Sequence, residues 1–438
     1  MTTQQATIRL ACADCGSDYP LGEARYRCEC GGLLDVVQPL DALRGRVSRA
    51  LFDARLASRD PLDASGVWRF RELLGDYARE EIVSKPEGRG NLYADARLAA
   101  WTGVDSLWLK HEGENPTGSF KDRGMTVGMT QARRLGARTV ACASSGNTSA
   151  SLAAYAATAG LAALTFVPEG KVSLGKIAQT LAYGARVIQV RGDFDAAMRL
   201  VQEVADKRNV YLLNSINPFR LEGQKTILCD ALQQLDWRVP DVVALPGGNL
   251  GNTSAFGKAL VELRDLGLID RLPRLVVVQA AGAAPFARAF AAGFAEGSYA
   301  PVAAETVATA IRIGAPVSYP RARRAIEQTD GIVTAVSDAE ILEAKAAIDR
   351  AGIGCEPASA ATLAGVRQLV AAGRLPVGVS VLGILTGHIL KDSEAVVNYH
   401  GATPKTPLGT SPPPPGANPP VTIDPTFAAV EALLSDER

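Results

Sequence analysis

The sequence predicts an α/β protein with two parallel-sheet α/β domains and a small cysteine-bearing module in front of them. Three observations carry that reading. From residue 107 onward, short apolar β-rich runs alternate with longer segments patterned for helices. The apolar runs are continuous, as strands buried on both faces require. Several end in Gly-, Asn- or Ser-rich turns, and ligands of parallel α/β folds gather beyond the carboxyl ends of strands.

The elements follow in order. Residues 8–38 read as a module of short strands and turns, and residues 39–66, rich in Arg, Asp and Ala, as a helical connector. The larger domain begins within 39–106. Residues 107–400 form the catalytic region, opened by a strand at 106–110 and a helix at 126–135. Strands at 137–143, 162–167, 186–190 and 210–214 then alternate with helices at 148–158, 174–183, 194–207 and 222–235. This stretch, about 122–235, is a smaller α/β domain nested in the larger one. Further buried strands fall at 242–245, 275–279 and 377–382. The proline-rich tail, 401–438, has four successive prolines at 412–415 and reads as an extended arm through 424, closed by a short helix at 425–434.

At 438 residues the chain suits two or three domains, and 47% hydrophobic with 21% charged residues is ordinary for a globular protein. Its 46 basic and 46 acidic residues cancel, which leaves no electrostatic footprint for nucleic acid or an anionic membrane. No apolar run nears the roughly 20 residues of a membrane span, and the N-terminus shows no secretory pattern. A cytoplasmic protein is expected. Seven cysteines in so long a chain do not make a disulfide framework. Four cluster as Cys12-x-x-Cys15 and Cys28-x-Cys30, while Cys142, Cys229 and Cys355 read as buried small hydrophobes.

The run GENPTGSFKDRG (113–124) sets Lys121 between a Pro/Gly turn and a helix. A lysine so placed suits a Schiff base with a carbonyl cofactor, of which pyridoxal phosphate is the common one; a solvated surface charge is the alternative. PGGNLGN (246–252) follows a strand and precedes a helix, so its backbone N–H groups and the helix dipole can cradle a single phosphate. It lacks the dinucleotide and P-loop spacings. SSGNTS (144–149) lies on another such turn, suited to a carboxylate or an aromatic hydroxyl, or to plain helix capping. NSINPFR (214–220) adds amide and hydroxyl donors and Arg220, able to grip phosphate bidentately. Thr386 and His388 stand at a fourth strand end.

These motifs, with VATAIRIGAPVS (307–318), CEPASAA (355–361) and TGHILKD (386–392), resemble the threonine synthase family over about residues 8–400. Its members are pyridoxal-phosphate enzymes of fold type II, the tryptophan synthase β-like fold. The resemblance implies that Lys121 holds the cofactor carbonyl and that Asn147 meets its phenolic oxygen. Gly248, Asn249, Leu250, Gly251 and Asn252 would hold its phosphate, and Thr386 would face its ring nitrogen. Ser144, Thr148, Asn214, Ser215 and Arg220 match positions for the carboxylate and phosphate of O-phospho-L-homoserine. Lys121 is then also the catalytic proton carrier in forming L-threonine and phosphate. A homodimer is implied. Where the family has a Gly-Glu-Gly-x-Thr-Pro-Leu segment, this chain reads KPEGRGNL (85–92), which leaves the packing of that loop open. The four clustered cysteines resemble a zinc ribbon and imply a structural zinc on Cys12, Cys15, Cys28 and Cys30; a metal-free knuckle is the alternative. Cysteate synthase and threonine or serine dehydratase share the fold and stand as rival activities, and a cofactor-retaining regulatory protein stands as the non-enzymatic one.

Overall fold

The structure, a computed structural model, describes residues 7–170, 174–401 and 416–436. The proline run at 412–415 lies outside these residues. Strands β1 (Arg9–Cys12), β2 (Asp18–Tyr19) and β3 (Leu34–Val37) form a small antiparallel sheet in the order β2-β1-β3. Short helices, Leu40–Leu43, Arg49–Ala54 and Pro61–Ala64, carry the chain onward.

Strands β4 (Leu92–Ala94) and β5 (Ser106–His111) pair antiparallel at one edge of a six-stranded sheet. The chain then leaves to build a second, four-stranded sheet from β6 (Thr139–Ala143), β7 (Ala162–Pro168), β8 (Arg186–Val190) and β9 (Tyr211–Leu212). All pairs in it are parallel, in the order β8-β7-β6-β9. On return, β10 (Val242–Pro246), β11 (Arg274–Ala280), β12 (Ile332–Val336) and β13 (Ser380–Leu385) complete the first sheet as β12-β11-β10-β13-β5-β4. Its central strand β10 is buried along its whole length, from Val242 to Pro246, and the flanking β11 and β13 are buried beyond their first residue. That burial on both faces is what the continuous apolar runs announced. Among the described residues no helix is long and apolar enough to cross a membrane.

Four differences from the sequence-based elements have local causes. The helix expected at 126–135 spans Lys121–Arg134, because Asp122 in its first turn takes the Thr117 N–H at 2.7 Å and folds the preceding loop onto the helix start. The helix expected from 222 begins at Pro218, capped by the Asn217 side chain with proline in the first helical position. The strand expected at 210–214 stops at Leu212, since Asn214 satisfies the neighbouring strand with its side chain instead of its backbone. The strand expected at 377–382 lies at Ser380–Leu385: Val377 is 83% exposed, and Gly378 turns the chain at φ +87°. Cys142, Cys229 and Cys355 are buried.

Candidate active site

Lys121 sits at the first position of its helix, on a loop fixed from several sides. Asp122 accepts from Thr117 N and Oγ1 at 2.7 and 2.6 Å and from Ser151 Oγ at 2.6 Å. Phe120 N donates to Thr386 O at 3.0 Å, joining the loop to the end of β13. Behind it, Arg123 is wholly buried. It donates to Glu112 at 2.6 and 2.7 Å and to Asp230 at 2.7 Å, and Asp230 also binds Arg69 and Lys110. Gly124 and Gly223 let the helices Lys121–Arg134 and Pro218–Gln234 meet backbone to backbone; a Cβ on either would overlap the other helix. The loop and helix start that carry Lys121 are thereby held in place. Desolvation pulls the Lys121 amine down to about 7, Arg220 pushes in the same direction, and Glu356 opposes them.

The turn after β6 brings Asn147 to the start of the helix Asn147–Ala159. Its amide donates to Glu356 Oε2 at 3.0 Å, while Thr386 Oγ1 donates to Glu356 Oε1 at 2.9 Å. Ser359 Oγ lies 2.9 Å from Thr386 Oγ1 and accepts from Thr386 N at 2.7 Å. Glu356 therefore stands between the two residues expected at the cofactor's ring, and burial raises its carboxyl above the usual range. Sequence reading gave Glu356 no role; its place in CEPASAA was the available signal.

After β10, Leu250 adopts φ +63° and starts the helix Gly251–Asp265. A Cβ on Gly248 would press on Ile311 Cα at 3.1 Å and Ala310 O at 3.3 Å, and one on Gly251 would sit 3.2 Å from Gln224 Oε1. Asn252 Oδ1 and Thr253 Oγ1 are buried at this helix start with no hydrogen-bond partner. A glycine-lined helix N-terminus with an unpaired buried hydroxyl, Thr253 Oγ1, able to donate fits a phosphate. Asn249 ties the cradle to its surroundings: Nδ2 donates to Ser215 Oγ at 2.9 Å, and Oδ1 accepts from Val317 N at 2.7 Å.

In the 214–220 turn, Asn214 spends its amide on Ala143, accepting from its N–H and donating to its C=O, both at 3.0 Å. The Ser144 and Ser215 turns are thereby brought together. Arg220 is buried. Its Nη1 donates to Leu213 O at 3.2 Å, its Nε has no partner, and among the described residues it makes no ion pair. Desolvation brings it down to about 10, so it stays cationic at neutral pH. Ser144 and Thr148 line the partly exposed face of their turn. His388 caps the short turn Ile389–Asp392, its Nδ1 accepting from Leu390 N at 3.2 Å.

The divergent loop at 85–92 is anchored without the Thr-Pro pair. Buried Glu87 accepts from Ser65 Oγ at 2.5 Å, Tyr155 Oη at 2.7 Å and Ser84 Oγ at 2.9 Å. Gly88 N donates to Asn115 Oδ1 at 2.8 Å, which links this loop to the Lys121 loop.

In the N-terminal module the Sγ atoms of Cys12, Cys15, Cys28 and Cys30 all lie within 4.8 Å of one another. Cys12–Cys30 and Cys15–Cys28 are each 3.5 Å apart. Tetrahedral zinc with bonds of about 2.3 Å sets its sulfurs about 3.8 Å apart, so four free thiols in this arrangement fit a structural zinc.

The chain matches the pyridoxal-phosphate-dependent enzyme family over residues 83–387. It is 47% identical over 387 residues to threonine synthase of Methanocaldococcus jannaschii, covering 88% of this chain and 93% of that one. Threonine synthase 2, chloroplastic, of Arabidopsis thaliana is 39% identical over 429 residues, which cover 95% and 82% of the two chains. The crystal structure of threonine synthase from Escherichia coli matches at TM-score 0.68 and 20% identity, over 98% of this chain and 100% of that one, a likeness of fold. The chain belongs to the pyridoxal-phosphate-dependent enzymes and, within them, to the threonine synthase family.

Proposed function

We propose that this chain converts O-phospho-L-homoserine and water to L-threonine and phosphate. The observation that carries the reading is Arg220, a buried cation without an ion pair among the described residues, close enough to Lys121 to depress its basicity. With the cradle at 248–252, the site offers two anion positions, one for a cofactor phosphate and one for a substrate phosphate.

Pyridoxal phosphate, once bound, supplies a carbonyl for amine exchange and an electron sink for a carbanion. Lys121 would hold it covalently, Gly248 to Asn252 would take its phosphate, and Asn147 and Thr386 would meet its ring. Freed of that bond, the Lys121 amine has a basicity near neutrality and can take the substrate Cα proton and carry protons at Cβ. Arg220 grips the substrate phosphate and stabilises its charge as it departs. Ser215, tied to Asn249, orients the same group. Ser144 and Thr148, at a helix N-terminus, receive the substrate carboxylate. The same reading includes a homodimer, checked by light scattering, and a smaller domain at about 122–235 nested in the larger one.

Phosphate release from O-phospho-L-homoserine with threonine as product tests the assignment. It is run beside O-phospho-L-serine with sulfite and beside threonine alone. Cysteate formation in the second or ammonia release in the third, with no threonine in the first, would overturn it. Lys121→Ala is expected to lose the absorption band of the lysine-bound cofactor together with turnover. Full turnover without Lys121 would refute its role.

A further inference from the structure

A side-chain hydrogen bond from the cysteine module reaches the strand that leads into the substrate turn. Strand β9 is the outer strand of the small sheet, and its inward rung is made by Leu213 N donating to Ala141 O at 2.8 Å. The next outward-facing group, the Leu212 N–H, would be left open at this edge. It donates instead to Tyr26 Oη at 2.7 Å, and Leu212 O accepts from Asn217 Nδ2 at 2.9 Å. Tyr26 lies between Cys15 and Cys28, its ring set edge-on to Tyr211 with centroids 5.7 Å apart. The cysteine module thus supplies, from a side chain, the acceptor that a further strand would supply. Two residues past Leu212 begins the turn that carries Asn214, Ser215 and Arg220.

The module grips a second point. Leu33 shares a buried cluster with Leu212 and Ile216, and Val317 packs against it. The Leu34 carbonyl accepts from Arg321 Nη1 at 3.2 Å, and Asp35 Oδ1 lies 3.2 Å from the same nitrogen. Arg321 is in the helix Tyr319–Gln328, and just before that helix Val317 N and Ser318 N donate to Asn249 Oδ1 and O. The Ser215–Asn249–Val317 bridge is therefore braced by the module at both ends.

We propose that the cysteine module is a brace for the substrate-phosphate turn, with Tyr26 as its positioning residue, so that the module's integrity sets affinity for the phosphorylated substrate. This rests on the reading of Arg220 and its turn as the phosphate clamp. The module does no chemistry. It holds the edge strand in register, and with it the donors of the turn.

Full-length, cofactor-loaded Tyr26→Phe tests the proposal, since it keeps the ring and removes only the acceptor. The expected result is a rise in KM for O-phospho-L-homoserine of about fivefold to tenfold, the order expected for one lost buried hydrogen bond, with kcat within about twofold. Hydrogen exchange is expected to show lost protection at the Leu212 amide, with the six-stranded sheet unchanged. Wild-type protein from which a chelator removes zinc, with its cofactor absorption kept, is expected to show the same KM rise and the same loss of protection. Unchanged KM and unchanged Leu212 protection in Y26F overturn the proposal. If Y26F loses cofactor absorption, Cys15→Ser decides: a raised KM with kcat retained supports the brace, and an unchanged KM overturns it. Arg220→Met, run alongside, separates the two readings. If it leaves KM unchanged, the phosphate clamp itself is wrong; if it raises KM and Y26F does not, only the brace fails.

Discussion

Arg220→Met should make the protein more stable and less able to use its substrate. Among the described residues the guanidinium is buried without a carboxylate, and burial lowers its pKa to about 10. At about 1.4 kcal/mol per pKa unit, holding that cation in the fold costs roughly 3 kcal/mol. Methionine keeps the aliphatic stem beside Gly124 and Gly128 and removes the charge. It also leaves Leu213 O without its Arg220 bond, a loss of about 1 kcal/mol. The net expectation is a gain of about 2 kcal/mol. With an unfolding entropy of about 2.1 cal/mol/K per residue, that corresponds to a rise of roughly 2 °C in the calorimetric midpoint without substrate or added phosphate. Against O-phospho-L-homoserine, loss of charge-assisted bonds to a phosphate should lower kcat/KM by about 30- to 100-fold. A lower midpoint together with kcat/KM within about twofold of wild type would refute the reasoning, because Arg220 would then be a structural residue.

Asp122 gives a pH signature. Burial raises its carboxyl to about 6, against 3.8 ordinarily, so between about pH 4 and 6 the folded state binds more protons than the unfolded state. Its contribution to stability therefore falls as pH rises through that window, by about 3 kcal/mol in all. Asp122→Asn should flatten that slope in urea unfolding measured from pH 4 to 7; an unchanged slope would show that Asp122 is not its source. Glu356→Gln should leave the fold intact and remove a pH-dependent step from the spectrum of the lysine-bound cofactor, since Glu356 bonds both Asn147 and Thr386 and its carboxyl is raised by burial. A spectrum with the same pH dependence as wild type would place Glu356 outside the cofactor's electronic environment.

The legible part of the site is the part encoded in short segments. Lys121, the 246–252 cradle and the 214–220 turn each lie within a dozen residues, so turn chemistry and a following helix announce them. Glu356 is a different case. Its partner Asn147 lies 209 residues away, and apart from its place in CEPASAA nothing local distinguishes this carboxylate from a surface one. The charge network behind the Lys121 loop was equally hidden, because its members come from positions 69, 110, 112, 123 and 230. Each charge alone reads as an ordinary solvated residue, and only the fold shows them as one buried group. Strand existence was readable from apolar runs, but strand ends were not. A continuous run such as that around 377–385 has no internal register, so its limits depend on the turn at Gly378. The shortening of β9 was out of reach for a similar reason, since an asparagine side chain replaced a backbone rung.

Arg123 and Arg220 make the argument for a phosphorylated substrate sharper. Both are buried, one on each of two helices packed against each other. Arg123 is paired with Glu112 and Asp230 at 2.6 and 2.7 Å, and these partners hold its basicity above the ordinary value. Among the described residues Arg220 has no such partner, and burial depresses its basicity. The fold thus supplies carboxylates to a buried guanidinium in one place and withholds them in another. Asp122 does not serve as the partner, being engaged by Thr117 and Ser151. Glu356 does not either, being engaged by Asn147 and Thr386. A buried cation left unpaired is costly in the free protein and becomes favourable when an anion arrives. Serine and threonine, the substrates of a dehydratase, have no side-chain anion to offer, and their carboxylate is expected at the Ser144 turn. Under the proposed function a phosphate on the substrate side chain would meet the charge that the fold leaves uncompensated, so a competing dianion such as inorganic phosphate should inhibit the wild type and lose its effect in R220M.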